Sequence, residues 1–97
     1  MKNLNEIIET IRHLKNDIKQ RYKAEIAGIF GSFVREEQRD TSDVDILIRF
    51  DENATLFDFV GLSLFLEEKL GIKVDIVPED SIRPELQERV KKEVVKI

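Results

Sequence analysis

Three aspartates lie in or beside apolar runs that are typical of β-strands. Asp43 and Asp45 flank Val44, and Asp75 lies inside the run at 73–77. A carboxylate in such surroundings is costly unless a partner compensates its charge. Oxygen ligands without histidine or cysteine favour Mg²⁺ or Mn²⁺ over zinc, and these ions often bind together with phosphate oxygens. The pattern therefore predicts a divalent metal site that takes a nucleoside triphosphate.

The spacing of the first two acids suits a shared metal. Residues two apart in a strand project from the same face, so Asp43 and Asp45 point together with Cα atoms about 6.5–7 Å apart. Carboxylates at that separation can bind one metal, or bridge two ions about 3.5–4 Å apart. Asp75 joins them if its strand lies beside the strand at 44–50, which the helical connection between the two strands favours.

A glycine-serine pair supplies the phosphate side of the same site. Gly31 and Ser32 follow a strand, where glycine lets the backbone approach an anion and the serine hydroxyl can donate to it. Arg35, three residues on, can bind phosphate or the departing pyrophosphate. Each piece alone has a plainer interpretation: a turn, a chance Asp-x-Asp, a surface arginine. Their joint order along the chain favours the functional interpretation.

Hydrophobic periodicity predicts one compact α/β domain over residues 1–97. The predicted order is helix, two strands, helix, strand and helix, with no linker or repeat. The predicted elements are a helix from Leu4 to about Tyr22 capped by Asn3 or Asn5, strands at 26–30, 44–50 and 73–77, a helix from Leu56 to Leu70 ended by Gly71, and a last helix bearing Leu86, Val90 and Val94.

Two surfaces allow more than one interpretation. The helix at 56–70 is apolar over more than one stripe, which indicates burial on two sides. One side suits the sheet, and the other suits either the first helix or a partner protein. The tail is basic, and a solvated helix face is favoured over a binding patch as the interpretation of its charges. These residues are Arg83, Arg89, Lys91, Lys92 and Lys96.

The bulk composition narrows the class of protein. The 97 residues fit one core and leave little room for a separate acceptor-binding domain. A net charge of −4 argues against a broad nucleic-acid-binding surface. No run is apolar enough to span a membrane or to act as a secretory signal. The absence of cysteine permits a cytoplasmic location, which is the predicted one.

The motifs together resemble those of the nucleotidyltransferase superfamily of DNA polymerase β. Within it, the small size resembles the minimal nucleotidyltransferases, the MNT-type antitoxins that are paired with HEPN-domain toxins. The likeness covers nearly the whole chain. It is carried by Gly31-Ser32-Phe33-Val34-Arg35, Ser42-Asp43-Val44-Asp45-Ile46 and Val74-Asp75-Ile76-Val77.

The resemblance implies a short mixed β-sheet flanked by helices, and a role for each motif. Asp43 and Asp45 would hold two Mg²⁺ ions, with Mn²⁺ as an alternative, and Asp75 would be the third carboxylate, placed to help activate the attacking hydroxyl. Gly31 and Ser32 would hold the triphosphate, with Arg35 and Ser42 as further nucleotide-binding residues. The chain departs from the family at Glu36, where a glycine usually follows the arginine, so the turn after Arg35 is expected to differ.

The resemblance also implies an activity and a partner. The expected reaction transfers AMP from ATP to a tyrosine hydroxyl of a HEPN-domain toxin, which would neutralise the toxin in a possible hetero-oligomer. The main alternative is an antitoxin that neutralises its toxin by complex formation without catalysis. A transferase acting on a small molecule or an RNA end is disfavoured by the acidic charge and the missing acceptor domain.

Overall fold

The computed structural model describes residues 3–35 and 43–97. Within them, the three α-helices and the first three strands follow the predicted order of helix, two strands, helix, strand and helix. In chain order the elements are α1 (Leu4–Tyr22), β1 (Ala24–Phe30), β2 (Val44–Phe50), α2 (Leu56–Leu70), β3 (Val74–Pro78), a 3₁₀ helix (Glu79–Ser81), α3 (Pro84–Glu93) and β4 (Val95–Lys96).

The four strands form one mixed sheet in the order β3-β2-β1-β4. β1 runs antiparallel to both β2 and β4, whereas β2 and β3 are parallel. Parallel neighbours cannot be joined by a tight turn, and α2 supplies the crossover that this pair requires. The predicted fold class, a short mixed sheet flanked by helices, is confirmed.

Local signals determine where the helices begin and end. The side chain of Asn3 accepts a hydrogen bond of 2.9 Å from the amide of Glu6, so Asn3 rather than Asn5 caps α1. Thr55 and Asp58 form a reciprocal capping box at the start of α2. Gly71 ends α2 with a φ of 70°, a left-handed conformation that glycine adopts without strain.

The hydrophobic core lies on one face of the sheet, beneath α1 and α2. The alternate residues of β2 that face these helices are completely buried, as are the helix residues that pack on them. A bulge in β1 between Ile26 and Gly28 keeps Ile26 and Ile29 on this same face. The fully buried set includes Ile7, Ile11 and Ile18 of α1, Val44, Ile46 and Ile48 of β2, and Leu62, Leu66 and Leu70 of α2.

The end of the chain differs from the prediction. Val94 was expected on the last helix, but α3 ends at Glu93 and Val94 adopts an extended conformation. The residues that follow form β4, which pairs with β1 through Gly28 and Ile29. A spacing of four between apolar residues cannot predict this strand, because the strand forms through hydrogen bonds to the edge of β1, which is distant in the sequence. Among the described residues, no helix is long and apolar enough to cross a membrane.

Candidate active site

Two of the three predicted acids stand side by side on the sheet. Asp45 of β2 and Asp75 of β3 are direct neighbours in the parallel register. The residues before and after each acid are buried against the helices, so both carboxylates project from the opposite face. Asp45 is half-buried and Asp75 is exposed. The register therefore brings together residues that are 30 positions apart in the sequence.

The electrostatics of this pair favour a cation beside it. Burial, and next the charge of Asp75, raise the pKa of Asp45 from 3.8 to about 6. A hydrogen bond between the two side chains and the charge of Asp43 act in the same direction, while the Arg35 guanidinium opposes them. The carboxylates of Asp45 and Asp75 thus repel each other in a partly desolvated place, which a divalent ion between them would relieve.

Asp43 lies outside the pair. It is exposed and immediately precedes β2, although its charge contributes to the raised pKa of Asp45. Among residues 3–35 and 43–97, no three acidic or histidine side chains form a complete metal-binding group. The oxygen-only donors and the uncompensated pair fit a hard divalent cation. The three-carboxylate ligand set itself stays a prediction.

Gly31 brings the backbone against the acid pair. It has a φ of 85°, and a Cβ atom built on it would overlap Oδ2 of Asp45 and lie 3.0 Å from its Cγ. Only glycine fits here, both for its conformation and for this close approach. The carbonyl of Gly31 accepts hydrogen bonds of 3.1 and 3.2 Å from the amides of Val34 and Arg35, which forms a compact turn. Phe33, 2% exposed, anchors that turn in the core.

Arg35 emerges from this turn towards the acids. Its Nη1 atom donates to Oε1 of Glu93 at 2.9 Å, an ion pair between the turn and the end of α3. Its charge also lowers the pKa of Asp45 against the stronger effects that raise it. The predicted phosphate-binding arginine is therefore next to the acid pair, held by a carboxylate that no sequence argument identified.

A cavity of about 300 Å³ collects these groups. Four of the predicted site residues line it, two from the turn at 31–35 and one each from β2 and β3. Ser32 is half-buried in the turn beside Gly31 but does not line the cavity. Ser42 and Glu36 lie outside the described residues, so the predictions that concern them are untouched by the structure. The predicted residues in the wall are Gly31, Arg35, Asp45 and Asp75.

The sequence did not predict that α3 forms one wall of the cavity. This wall is a face of α3, formed by residues at positions i, i+3, i+4 and i+7. The spacing of Leu86 and Val90 is visible in the sequence, but the side of the sheet on which α3 packs is not. The four α3 residues in the wall are Leu86, Arg89, Val90 and Glu93. A larger cavity of about 440 Å³, lined in part by Arg49, Glu79 and Lys91, lies on the other side of Val90 and does not include the acid pair.

The wide apolar arc of α2 is only partly covered. Its inner side packs on the sheet, and Tyr22 at the end of α1 contacts Phe65 with ring centroids 5.3 Å apart. An outer stripe remains exposed, and it lies on the helix side of the sheet, away from the acid pair. Its residues are Leu56, Phe57, Val60 and Leu64, with exposed fractions from 48% to 87%. Packing on α1 therefore explains one part of the arc and not the other.

Comparison with known proteins agrees with this geometry. A family model for the nucleotidyltransferase domain matches residues 11–97. A Methanocaldococcus jannaschii protein, named provisionally as a protein adenylyltransferase, is 41% identical over 98 residues that cover 100% of both chains. The protein adenylyltransferase MntA of Thermococcus cleftensis is 38% identical over 95 residues, which cover 98% of this chain and 96% of that protein.

Solved structures give the same family. One that is assigned provisionally as a minimal nucleotidyltransferase superposes with a TM-score of 0.75 at 39% identity, covering 92% of this chain and 94% of that one. A crystal structure of a toxin-antitoxin with AMP-PNP superposes with a TM-score of 0.69 at 21% identity, covering 91% of this chain and 69% of that one, a likeness of fold. The chain therefore belongs to the nucleotidyltransferase-domain family and is an enzyme of the minimal nucleotidyltransferase type, as its motifs predict.

Proposed function

We propose that the chain, acting as a single domain over residues 1–97, transfers AMP from ATP to a hydroxyl of a partner HEPN-domain toxin and so neutralises it. The observation that carries this proposal is the Asp45–Asp75 pair, in register on the open face of the sheet beside Gly31 and Arg35. Several relatives carry the name protein adenylyltransferase, in some cases provisionally, and these names support a protein as the acceptor.

In this reaction the acceptor oxygen forms a bond to the α-phosphorus of ATP, and the bond from that phosphorus to the bridging oxygen of the β-phosphate breaks. Pyrophosphate leaves, and the hydroxyl proton passes to a base or to solvent. A tyrosine hydroxyl is the proposed acceptor. Asp75, exposed at the rim of the cavity and next to Asp45, is positioned to accept that proton or to orient the hydroxyl.

The remaining groups serve binding and orientation. Gly31 lets the turn lie directly against the Asp45 carboxylate, and Ser32 of the same turn offers a hydroxyl to phosphate oxygens that bind there. Arg35 contributes positive charge at the edge of the cavity. Two Mg²⁺ ions, or Mn²⁺ in their place, held by Asp45 and Asp75 with Asp43, would supply charge compensation and lower the pKa of the acceptor hydroxyl. The cytoplasm, which supplies ATP, is the proposed location.

The exposed stripe of α2 constrains how a partner binds. It faces away from the sheet on the helix side, whereas the acid pair opens on the other side. A toxin held by this stripe alone would not present its hydroxyl to Asp45 of the same molecule. We therefore propose that the acceptor approaches from the α3 side, and that the α2 stripe, if it binds the toxin, adds a second contact in a hetero-oligomer.

The rival function is an antitoxin that covers its toxin without catalysis. The acid pair argues against it, because a raised pKa at Asp45 signals a group that is held at a cost to the folded state. A binding module has no use for such a pair on its open face. A complex between a toxin and a catalytic antitoxin is compatible with both readings, so complex formation alone does not separate them.

The test uses the full chain, Mg²⁺, ATP labelled at the α-phosphate and the product of the neighbouring gene. We expect label on the partner, loss of its toxicity, and neither effect with Asp43→Asn together with Asp45→Asn. A control variant, Asp17→Asn, changes an exposed acid of α1 away from the cavity and should label the partner normally. Neutralisation without label, or neutralisation by the double variant, would show that catalysis is not the function.

A further inference from the structure

The cavity-facing side of α3 brings a second arginine to the acid pair. Arg89 lines the cavity together with Asp45 and Asp75, although its position in a basic tail suggested a solvated helix face. It lies four residues before Glu93, on the same side of the helix, and Glu93 is the residue that holds Arg35. The cavity wall thus presents two guanidinium groups from two different elements.

The position of α3 is set by the sheet. β4 follows the helix after one residue and pairs with β1 at Gly28 and Ile29. At Gly28 the two segments approach so closely that an added Cβ would lie 2.5 Å from both Cγ2 of Val94 and the carbonyl oxygen of Val95. This close contact anchors the end of α3 on the open face of the sheet. Arg89, one turn earlier, is therefore held over the cavity by backbone pairing.

The two arginines differ in whether an ion pair with a neighbouring carboxylate holds them. Arg35 is engaged by Glu93 at 2.9 Å. Arg89 is exposed and makes no hydrogen bond or ion pair with any residue in the described ranges 3–35 and 43–97. A cation that lines a cavity containing two carboxylates, yet pairs with neither, is available for an anion that enters with its own counter-ions.

We propose that Arg89 binds the β- and γ-phosphates of the donor and stabilises the pyrophosphate as it leaves. This inference rests on the proposed nucleotidyl transfer. When the bond between the α-phosphorus and the bridging oxygen breaks, its electron pair stays on pyrophosphate, whose negative charge increases. A guanidinium matches this charge with a planar pair of donors, which a lysine ammonium cannot reproduce.

Pyrophosphate binding tests the assignment without any acceptor protein. Inorganic pyrophosphate is titrated into the full chain in the presence of Mg²⁺ by calorimetry, with AMP as a second probe that lacks the β- and γ-phosphates. We expect Arg89→Ala to weaken pyrophosphate binding about tenfold and to leave AMP binding within about twofold. Arg89→Lys should recover part of the loss, since it restores charge but not the two-pronged geometry.

A matched control comes from the same helix. Lys92→Ala removes the same charge from an exposed position of α3 that does not line the cavity, and it should leave pyrophosphate binding unchanged. Alanine suits an exposed helix position, so both variants should keep the wild-type thermal melt. Equal pyrophosphate binding by wild type and Arg89→Ala, or equal weakening by Lys92→Ala, overturns the assignment. Labelling of the partner by the wild type is scored separately, so failure of the Arg89 assignment and failure of the proposed function give different results.

Discussion

The two faces of the sheet have different roles: the helix side forms the hydrophobic core, and the open side carries the candidate site. On the helix side, β2 presents Val44, Ile46 and Ile48, all completely buried. On the open side the same strand presents Asp45, half-buried, Leu47, buried beside the larger cavity, and Arg49, exposed and paired with Glu79 at 2.9 Å. One face is filled by apolar side chains from two helices, and the other has a cavity and an acid whose pKa is raised. A single strand thus contributes to the core and to the site with alternate residues.

Because the two faces differ, substitutions at neighbouring residues of β2 should have different effects on stability and on activity. A change on the helix side should lower stability, and activity only through the loss of folded protein. A change at the acid pair should remove activity while leaving the fold intact or more stable.

Asp45→Asn should reduce transfer of AMP by about a thousandfold or more, because it removes a predicted metal ligand and the charge at the centre of the site. The rate of label transfer to the partner under single-turnover conditions measures this. The far-ultraviolet circular dichroism spectrum of the variant should match that of the wild type. Retention of a substantial rate would mean that the acid pair is not the catalytic centre.

Ile46→Ala, the adjacent substitution on the buried face, should destabilise the fold by about 3 kcal/mol, since it removes part of a fully buried side chain and leaves a cavity. For a chain of this size the thermal midpoint should fall by more than about 10 °C. Differential scanning calorimetry measures the shift. Below the new midpoint, the folded protein should still label the partner. An unchanged midpoint would contradict the assignment of the core to this face.

The metal-free protein should lose stability as the pH rises from about 4 to above 6. The pKa of Asp45 is about 6 in the folded chain and 3.8 when unfolded, so the folded state binds the proton more tightly between these values. Ionisation above pH 6 therefore costs the fold about 1 kcal/mol after discounting for the partial exposure of this group. Asp45→Asn should remove this dependence and be the more stable protein at pH 8.

The effect of Mg²⁺ on the stability of the wild type and of Asp45→Asn tests the same electrostatic account. At pH 8, Mg²⁺ should raise the thermal midpoint of the wild type more than that of Asp45→Asn, because binding to the folded state relieves the repulsion between the acids. Asp17→Asn, at an exposed position of α1, should behave like the wild type in both measurements. A flat pH profile for the wild type would contradict the electrostatic account of the pair.

Leu64→Ser should change the free energy of unfolding by less than about 0.5 kcal/mol, because Leu64 is 62% exposed on the outer stripe of α2. Leu62→Ser, two residues earlier and completely buried, is the matched comparison and should cost several times more. Urea unfolding measures both. Weaker binding of the partner by Leu64→Ser with normal pyrophosphate binding would identify the stripe as a docking contact; a large loss of stability would contradict its exposed position.

Short-range signals made much of the fold predictable. The ends of α2 are set by a capping box and by Gly71, and α1 and α2 follow directly from apolar spacing. Period-two alternation identified β2 and the side on which Asp45 lies. The neighbouring position of Asp75 was also foreseen, because a strand-helix-strand unit with a parallel pair has few arrangements.

The parts that were missed depend on contacts between distant segments. β4 is two residues long and forms only because β1 has a free edge at Gly28 and Ile29. Arg35 and Glu93 are 58 positions apart, so nothing local marks Glu93 as its partner. Arg89 is exposed, but its place in the cavity wall could not be predicted, since a helical spacing gives the relation between residues of one helix and not the surface on which the helix packs.

The most direct test of the central claim compares two positions of the label in ATP. With the partner and Mg²⁺ present, label at the α-phosphate should appear on the partner, and label at the γ-phosphate should appear only in released pyrophosphate. Asp45→Asn should abolish both signals. Transfer of the γ-label to the partner, or neutralisation of the partner with no transfer of either label, would contradict nucleotidyl transfer by the acid pair of this sheet.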